Sequence, residues 1–402
     1  MKRIPLIVAA SLTLVAASAT AQEERLGGTT PAPSFRSGWT LTPTFGVSET
    51  YDNNISLFGI NTAEEQNNDY VASYFPELDV HFSGKHTTFS SGYAGNFLDY
   101  RTYTELNRWD QRARVDIRRQ ESASLKWFAR ANVTQVPSTD LVDLGGIPYR
   151  RTGARTASGR VGVEYALSAR DAISQTGDYQ DIEFEREPLT LALRGGDVFE
   201  SLTAWRHKVS SRLAVGTDYS FRRALVVGDT DVFYLHSTQG AFDYELSPLW
   251  TMSGAGGMVY MQSTPTIPSH AGPAYRISLQ RHREGRAFHV GYERSYIPSF
   301  GFGGTVQNQS ASVGYHTPLF GSRHFYLDAT GVFRDDEPLT SIDQLPLRSL
   351  RTYATFGWQP SPYVRIEGFY VRVQQTSLRF NGQIYRDRVG FQIVTSKPVR
   401  IE

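Results

Sequence analysis

Cysteine is absent from the 402 residues. That excludes a disulfide framework and any thiolate metal site. Long hydrophobic runs are scarce as well. Beyond the first 21 residues, charged or strongly polar side chains interrupt every apolar stretch, and mean hydropathy is -0.37. No such stretch reaches the roughly 20 apolar residues that a membrane-spanning helix needs. An excess of one charge is also missing: 41 Lys+Arg stand against 40 Asp+Glu, a net of +1. This balance argues against a nucleic-acid partner.

Aromatic residues are plentiful, with 22 Tyr, 23 Phe and 6 Trp, and glycine occurs 35 times. The N-terminus reads as an export signal over residues 1–21: basic Met1-Lys2-Arg3, an apolar run from Ile4 to Ala17, and Ala19-Thr20-Ala21 as the cleavage site. Residues 22–38, with Gly27-Gly28, Pro31 and Pro33, read as a flexible periplasmic leader. That leaves no room for the large plug of an energy-coupled transporter. An exported, Tyr- and Gly-rich chain without apolar helices points to a membrane β-barrel over 39–402, whose apolar signal per strand is weak.

The stretch Trp109 to Val133 carries the strongest pattern. Trp109, Gln111, Ala113, Val115 and Ile117 alternate with Asp110, Arg112, Arg114, Asp116 and Arg118. After Gln120-Glu121, Leu125, Trp127, Ala129, Ala131 and Val133 alternate with Lys126, Phe128, Arg130 and Asn132. Period two sends successive side chains to opposite faces of a strand. The result is a hairpin with one apolar and one charged face. In a soluble sandwich the apolar face meets a second sheet; in an outer-membrane barrel it meets lipid.

Connection lengths decide between these. About eighteen strand-like segments follow from Trp39 onward, with sixteen as the alternative because segments 170–181 and 197–209 alternate poorly. Connections after even-numbered segments are short, such as Gly84-Lys85, Ser168-Ala169 and Ser210-Ser211. Those after odd-numbered segments tend to be long, such as 53–68, 136–151 and 182–196. This sorting fits a barrel with short periplasmic turns and longer extracellular loops, and an even count closes the sheet. No repeat beyond the hairpin is evident. The expectation is an all-β, single transmembrane antiparallel up-and-down barrel in the outer membrane of a Gram-negative bacterium. Its partners are outer-membrane lipid and the barrel-assembly machinery.

A charge on the lipid face near the midplane costs roughly 2–4 kcal/mol, so the charged sets point inward. The expected lumen carries Asp110, Asp116, Arg276, Glu293, Asp328, Arg365, Glu367 and Arg388, together with a basic wall of Arg112, Arg114, Arg118, Lys126 and Arg130. One reading is a wet wall that concentrates anionic solutes; the other is cross-strand pairing that holds the register. Phe128, Tyr326 and Tyr353 also alternate inward, either as platforms for sugar rings or as space-fillers. Trp109, Trp127, Tyr292, Tyr315, Phe356 and Trp358 read as interfacial girdle residues.

Catalytic, cofactor and metal signals are poor. His324 and Asp328 lie too far apart for an oriented pair, and His86, His289 and His316 lack ligand spacing. Gly301-Phe302-Gly303-Gly304 lacks the Lys-Ser/Thr and helix of a phosphate cradle. Asp52-Asn53-Asn54 reads as turn chemistry.

Thr42-Pro43-Thr44-Phe45-Gly46-Val47 leading to Tyr51-Asp52-Asn53-Asn54-Ile55 resembles the first strand of the outer-membrane β-barrel porin families encoded beside exopolysaccharide clusters. Arg386-Asp387-Arg388-Val389-Gly390-Phe391 is similar to their last strand. The likeness covers the two ends. It implies a channel passing exopolysaccharide or capsular polysaccharide to the surface, with a periplasmic polysaccharide-export protein as partner. A general diffusion pore for small solutes and a non-conducting structural or enzymatic barrel are the alternatives. Many such barrels end on an aromatic residue, whereas this chain runs past Phe391 to Lys397-Pro398-Val399-Arg400-Ile401-Glu402. A loop folded inward at 136–151 or 182–196 would constrict the lumen.

Overall fold

The computed structural model describes residues 37–57, 67–185, 193–226, 232–264, 268–283, 285–301, 304–322, 324–339, 346–377 and 382–401. The expected signal peptide and nearly all of the leader lie outside these, as do Phe302 and Gly303. The chain forms β1 (Gly38–Asp52), β2 (Asp69–Ser83), β3 (Thr87–Tyr100), β4 (Arg108–Gln120), β5 (Leu125–Val136), β6 (Ala154–Ala166), β7 (Asp171–Phe184), β8 (Gly196–Lys208) and β9 (Leu213–Val226). It continues through β10 (Val232–Ser247), β11 (Trp250–Met261), β12 (His270–Arg283), β13 (Arg286–Pro298), β14 (Thr305–Pro318), β15 (Phe325–Pro338), β16 (Leu347–Ser361), β17 (Val364–Ser377) and β18 (Gly382–Ser396). Each strand pairs antiparallel with the next, and β18 returns to β1, closing the barrel. The sixteen-strand alternative is thereby excluded, and the two segments that alternate poorly are genuine strands, β7 and β8.

Connections after odd-numbered strands are longer on the whole than those after even-numbered ones, although β14–β15 (319–324) matches β13–β14 (299–304) and exceeds β9–β10 and β17–β18. Six of the turns after even-numbered strands share a device. Ser122, Ser168 and Ser210 each accept, through Oγ, the backbone N–H groups two and three residues on, at 2.9–3.3 Å. Ser247, Ser322 and Ser361 accept the N–H two residues on. A serine that satisfies the turn's own amides lets the chain reverse without further residues. This repeated Ser-x-x turn is a sequence repeat that the alternation pattern hides, because its signal is one residue long.

The apolar alternates face outward. Trp109, Trp127, Val133, Tyr315, Phe356 and Trp358 are all exposed on the outer surface. Tyr292 is half-buried there, stacked on Tyr275 with centroids 5.8 Å apart. A contiguous apolar exterior of this extent belongs in lipid, not water.

Inward aromatics occupy the places of missing side chains. A Cβ at Gly162 would fall 2.5 Å from the Phe128 ring, and one at Gly357 would fall 2.1 Å from the Tyr326 ring. Phe75 over Gly46 and Phe369 over Gly390 repeat the arrangement. Each ring thus lies against the wall in a notch left by a cross-strand glycine.

The tail beyond Phe391 is built into the barrel seam. A short β19 (Val399–Ile401) continues β18 along β1 in the same register, pairing Val399 with Leu41 and Ile401 with Trp39 after the interruption at Lys397-Pro398.

Candidate functional site

The interior divides into a turn-side half lined by charges and a loop-side half packed with loops. The loop 137–153, between β5 and β6, enters the lumen and crosses it. It begins with one 3-10 turn at Thr139–Leu141. Thr139 closes the loop on itself: its Oγ1 donates to the Pro148 carbonyl at 2.7 Å and accepts the Arg150 N–H at 2.6 Å. With its own backbone groups so satisfied, the segment can leave the sheet and still be buried.

The far side of the loop is fixed to the opposite wall. In a ring of eighteen, β14 lies nine strands from β5 and β15 nine from β6 (14 − 5 and 15 − 6), half the circumference. There the Gly146 N–H donates to Asp336 at 2.8 Å, Asn308 holds the other Asp336 oxygen at 2.6 Å, and Arg334 pairs with Asp143. On β17, Gln375 accepts the Tyr149 N–H at 2.6 Å and donates to the Ile147 carbonyl at 3.0 Å. On the near side, Arg151 donates to Tyr100 Oη at 2.9 Å and lies over its ring at 4.7 Å.

The central anchor is Arg386 on β18. It grips Asp52 of β1 through Nε and Nη2, the latter at 2.6 Å, and Asp140 of the loop through Nη1 at 2.8 Å. Burial would raise the Asp140 carboxyl, but Arg386 and Arg388 overcome it and bring it down to about 2. The two end motifs also lock together at this point. Asn53 accepts the Asp387 N–H at 2.7 Å, and Asn54 Nδ2 donates to the Tyr385 carbonyl at 2.9 Å. Asp52 accepts the Asn54 N–H at 3.1 Å, so the expected turn chemistry is present alongside the ion pair.

Apolar packing reinforces these contacts. Val142 and Ile147 of the loop are buried with Val136, Ala154, Ile182 and Phe300. Full burial of one such aliphatic side chain is worth about 1.5–3 kcal/mol. Two further loops join here: Arg194 of the β7–β8 connection and Gly301 of the β13–β14 connection exchange backbone hydrogen bonds at 3.1 and 2.7 Å. Gly301 (φ +106) brings Pro148 within reach, since a Cβ there would fall 2.7 Å from the proline ring.

The charged residues singled out on β4 and β5 line the inner wall, where they meet Asp116, itself singled out, and the acids Glu77, Asp79 and Glu164, which were not. Arg114 reaches past β3 to Glu77 at 3.2 Å and Asp79 at 2.8 Å. Gly92 stands between, and a Cβ there would fall 2.3 Å from the Asp79 carboxylate. Arg118 and Arg130 share Asp116 at 3.0 and 2.9 Å, and Lys126 lies 3.5 Å from Glu164. Arg112 and Asp110 sit on the same inner face of β4. The basic wall is therefore charge-compensated across strands rather than a bare cationic surface.

Elsewhere the brought-together sets differ from neighbours in register. Arg276 stands opposite Glu293 but donates to Asp218 at 2.8 Å, which Arg206 also holds. Arg365 lies 2.9 Å from Glu367, which also accepts from Tyr326 and Gln392. Asp328 is partnered by His316 of β14 at 2.9 Å, while His324 contacts the Gln359 carbonyl instead. Arg388 lies 3.9 Å from Asp140. Tyr353 is half-buried on β16 between Thr330 and Val371. Among the described residues, no group of three or more His, Asp or Glu is disposed to hold a metal.

Sequence reasoning missed Asp140, Asp143, Arg334, Asp336, Gln375 and Arg386 as a set. The available signal was charged or amide side chains at inward positions near the loop ends of strands, where alternation alone predicts solvent.

No protein-family model and no curated protein sequence matches the chain. Among solved structures, it is similar to OccAB4 of Acinetobacter baumannii, at 10% identity over 91% of this chain and 100% of that one, with a TM-score of 0.45. It is also similar to OpdO of Pseudomonas aeruginosa, at 10% identity over 90% and 98%, with a TM-score of 0.47. A BenF-like porin from Pseudomonas fluorescens Pf-5 gives 10% identity over 90% and 99%, with a TM-score of 0.45.

Proposed function

We propose that this chain is an outer-membrane channel through which small polar solutes diffuse. Eighteen strands at about 4.8 Å spacing, tilted by about 40°, enclose a backbone circle roughly 36 Å across. A barrel of that size holds water unless something fills it. What carries the reading is the loop 137–153, tied to the β5–β6 wall by the chain and to β14, β15, β17 and β18 by side chains. A bar fixed at both ends suits passage of small hydrated solutes past it. It suits a growing polysaccharide poorly, because a polymer would need the bar to swing away against a buried ion pair. The inward rings of Phe128 and Tyr326 already lie along the wall in glycine notches, which weakens their reading as free-standing sugar platforms. The reading therefore favours small-solute diffusion over polysaccharide export.

The test is purified protein in planar bilayers and in liposomes. Stepwise conductance is expected, with liposome swelling rates that fall steeply as a neutral sugar lengthens from mono- to tetrasaccharide. Absence of discrete openings would remove the channel reading. Equal passage of short and long oligosaccharides would restore export.

A further inference from the structure

The exterior is not uniformly apolar. On β7 and β8 the outward rows run Ile173 opposite Trp205, Gln175 opposite Thr203, Gly177 opposite Ser201, and Tyr179 opposite Phe199. The two middle rows, between the aromatic ends, hold no apolar side chain. Gln175 Nε2 donates to Ser201 Oγ at 2.8 Å, and Thr203 Oγ1 donates to Gln175 Oε1. The strip steps toward the turn side on the following strands, through Thr217 on β9 (opposite Trp205), Gly240 on β10 and Gly256 on β11, with Thr217 opposite Gly240 and Gly240 opposite Gly256, while Thr238 on β10 stands at its edge between exposed Tyr219 and Met258. Gln175, Thr217, Thr238, Gly240 and Gly256 are all exposed. Five strands at about 4.8 Å make a strip roughly 20 Å wide. The corresponding depth elsewhere is filled by residues such as Val115, Val290, Val313 and Ile393. This is the physical source of the poor alternation of β7 and β8.

We infer that the β7–β11 strip is a contact surface for a second copy of this chain, across a twofold axis parallel to the membrane normal near β9. An amide and four hydroxyls facing hydrocarbon lack partners for their remaining donors and acceptors. The bilayer holds every copy at one depth, so a polar band at a fixed height meets its own image whenever two barrels touch at this face. The glycines remove side chains where two backbones must approach, as small residues do at helix contacts in membranes. Other proteins and lipids have no such enforced match of height. The inference rests on the membrane-spanning barrel and is independent of what passes through it.

The absence of cysteine makes a clean test. Thr217→Cys places one thiol near the proposed axis, and Val290→Cys on β13 is the control on another part of the exterior. In native membranes, oxidation of T217C is expected to give a species of twice the chain's mass, with V290C remaining single. Mass spectrometry of the wild type released in mild detergent should show the same doubling. The combined variant Gln175→Leu, Ser201→Val, Thr203→Val, Thr217→Val should be single while each barrel keeps its unit conductance. If T217C prevents barrel formation, Gly240→Cys takes its place. The inference is overturned if the wild type is single in membranes, if V290C links as readily as T217C, or if T217C links to a chain of different mass.

Discussion

Arg386 and Arg114 place the same guanidinium on the same inner wall, yet in opposite settings. Arg386 is 5% exposed and holds carboxylates that are 2% and 0% exposed. Arg114 is 43% exposed, with its partners at 16% and 31%. A buried pair broken on one side leaves an uncompensated charge and costs about 3–5 kcal/mol. An exposed pair is worth roughly 0.2–1 kcal/mol and weakens with salt. The Arg386 set therefore belongs to architecture, whereas the Arg114 set is exposed enough for solvent ions to compete with it.

Four perturbations should break or sharpen that contrast. Deleting residues 139–149 and joining the ends with a short Gly-Ser link removes the crossing loop and should raise single-channel conductance severalfold. Unchanged conductance would mean the loop does not limit flow. Arg386→Gln should destabilise the barrel by about 3–5 kcal/mol, read as a lower temperature for loss of the folded band in detergent, with noisier openings. Reversing Arg112, Arg114 and Arg130 to Glu should shift ion selectivity toward cations, read from reversal potentials, at under about 1 kcal/mol per exposed pair. A selectivity left untouched would place the rate-limiting field elsewhere.

The smallest effect concerns pH. The folded Asp140 carboxyl, at about 2, lies below its ordinary 3.8. A depressed carboxyl contributes stability that is present above the ordinary value and is lost as pH falls through the folded one. Between pH 7 and 4 the Asp140–Arg386 anchor should contribute no change in conductance. Loop-dependent noise should grow only as pH approaches 2, and Asp140→Asn should abolish that growth. An onset near pH 5 would break the assignment.

The barrel was legible because its signals are local. Period two within a strand and chain length between strands need no knowledge of which strands touch. Even so, β7 and β8 blurred the strand count, because their outward Gln175, Ser201 and Thr203 are not apolar. The crossing loop was less legible. Asp140 and Arg386 are 246 positions apart and meet only once the ring closes. For the basic wall the sequence left an open cationic surface and cross-strand pairing as alternatives, since Glu77 and Asp79 reach Arg114 across an intervening strand, past the gap that Gly92 leaves. Charge counts along one hairpin carry no information about such reach.

Arg386 touches the first strand and the loop at once. Asp52 is available to it only when the final strand has docked beside the first, and Asp140 is available only when the loop lies inside. One side chain thereby couples the barrel seam to the placement of the crossing loop, so loosening either contact withdraws a partner from the other.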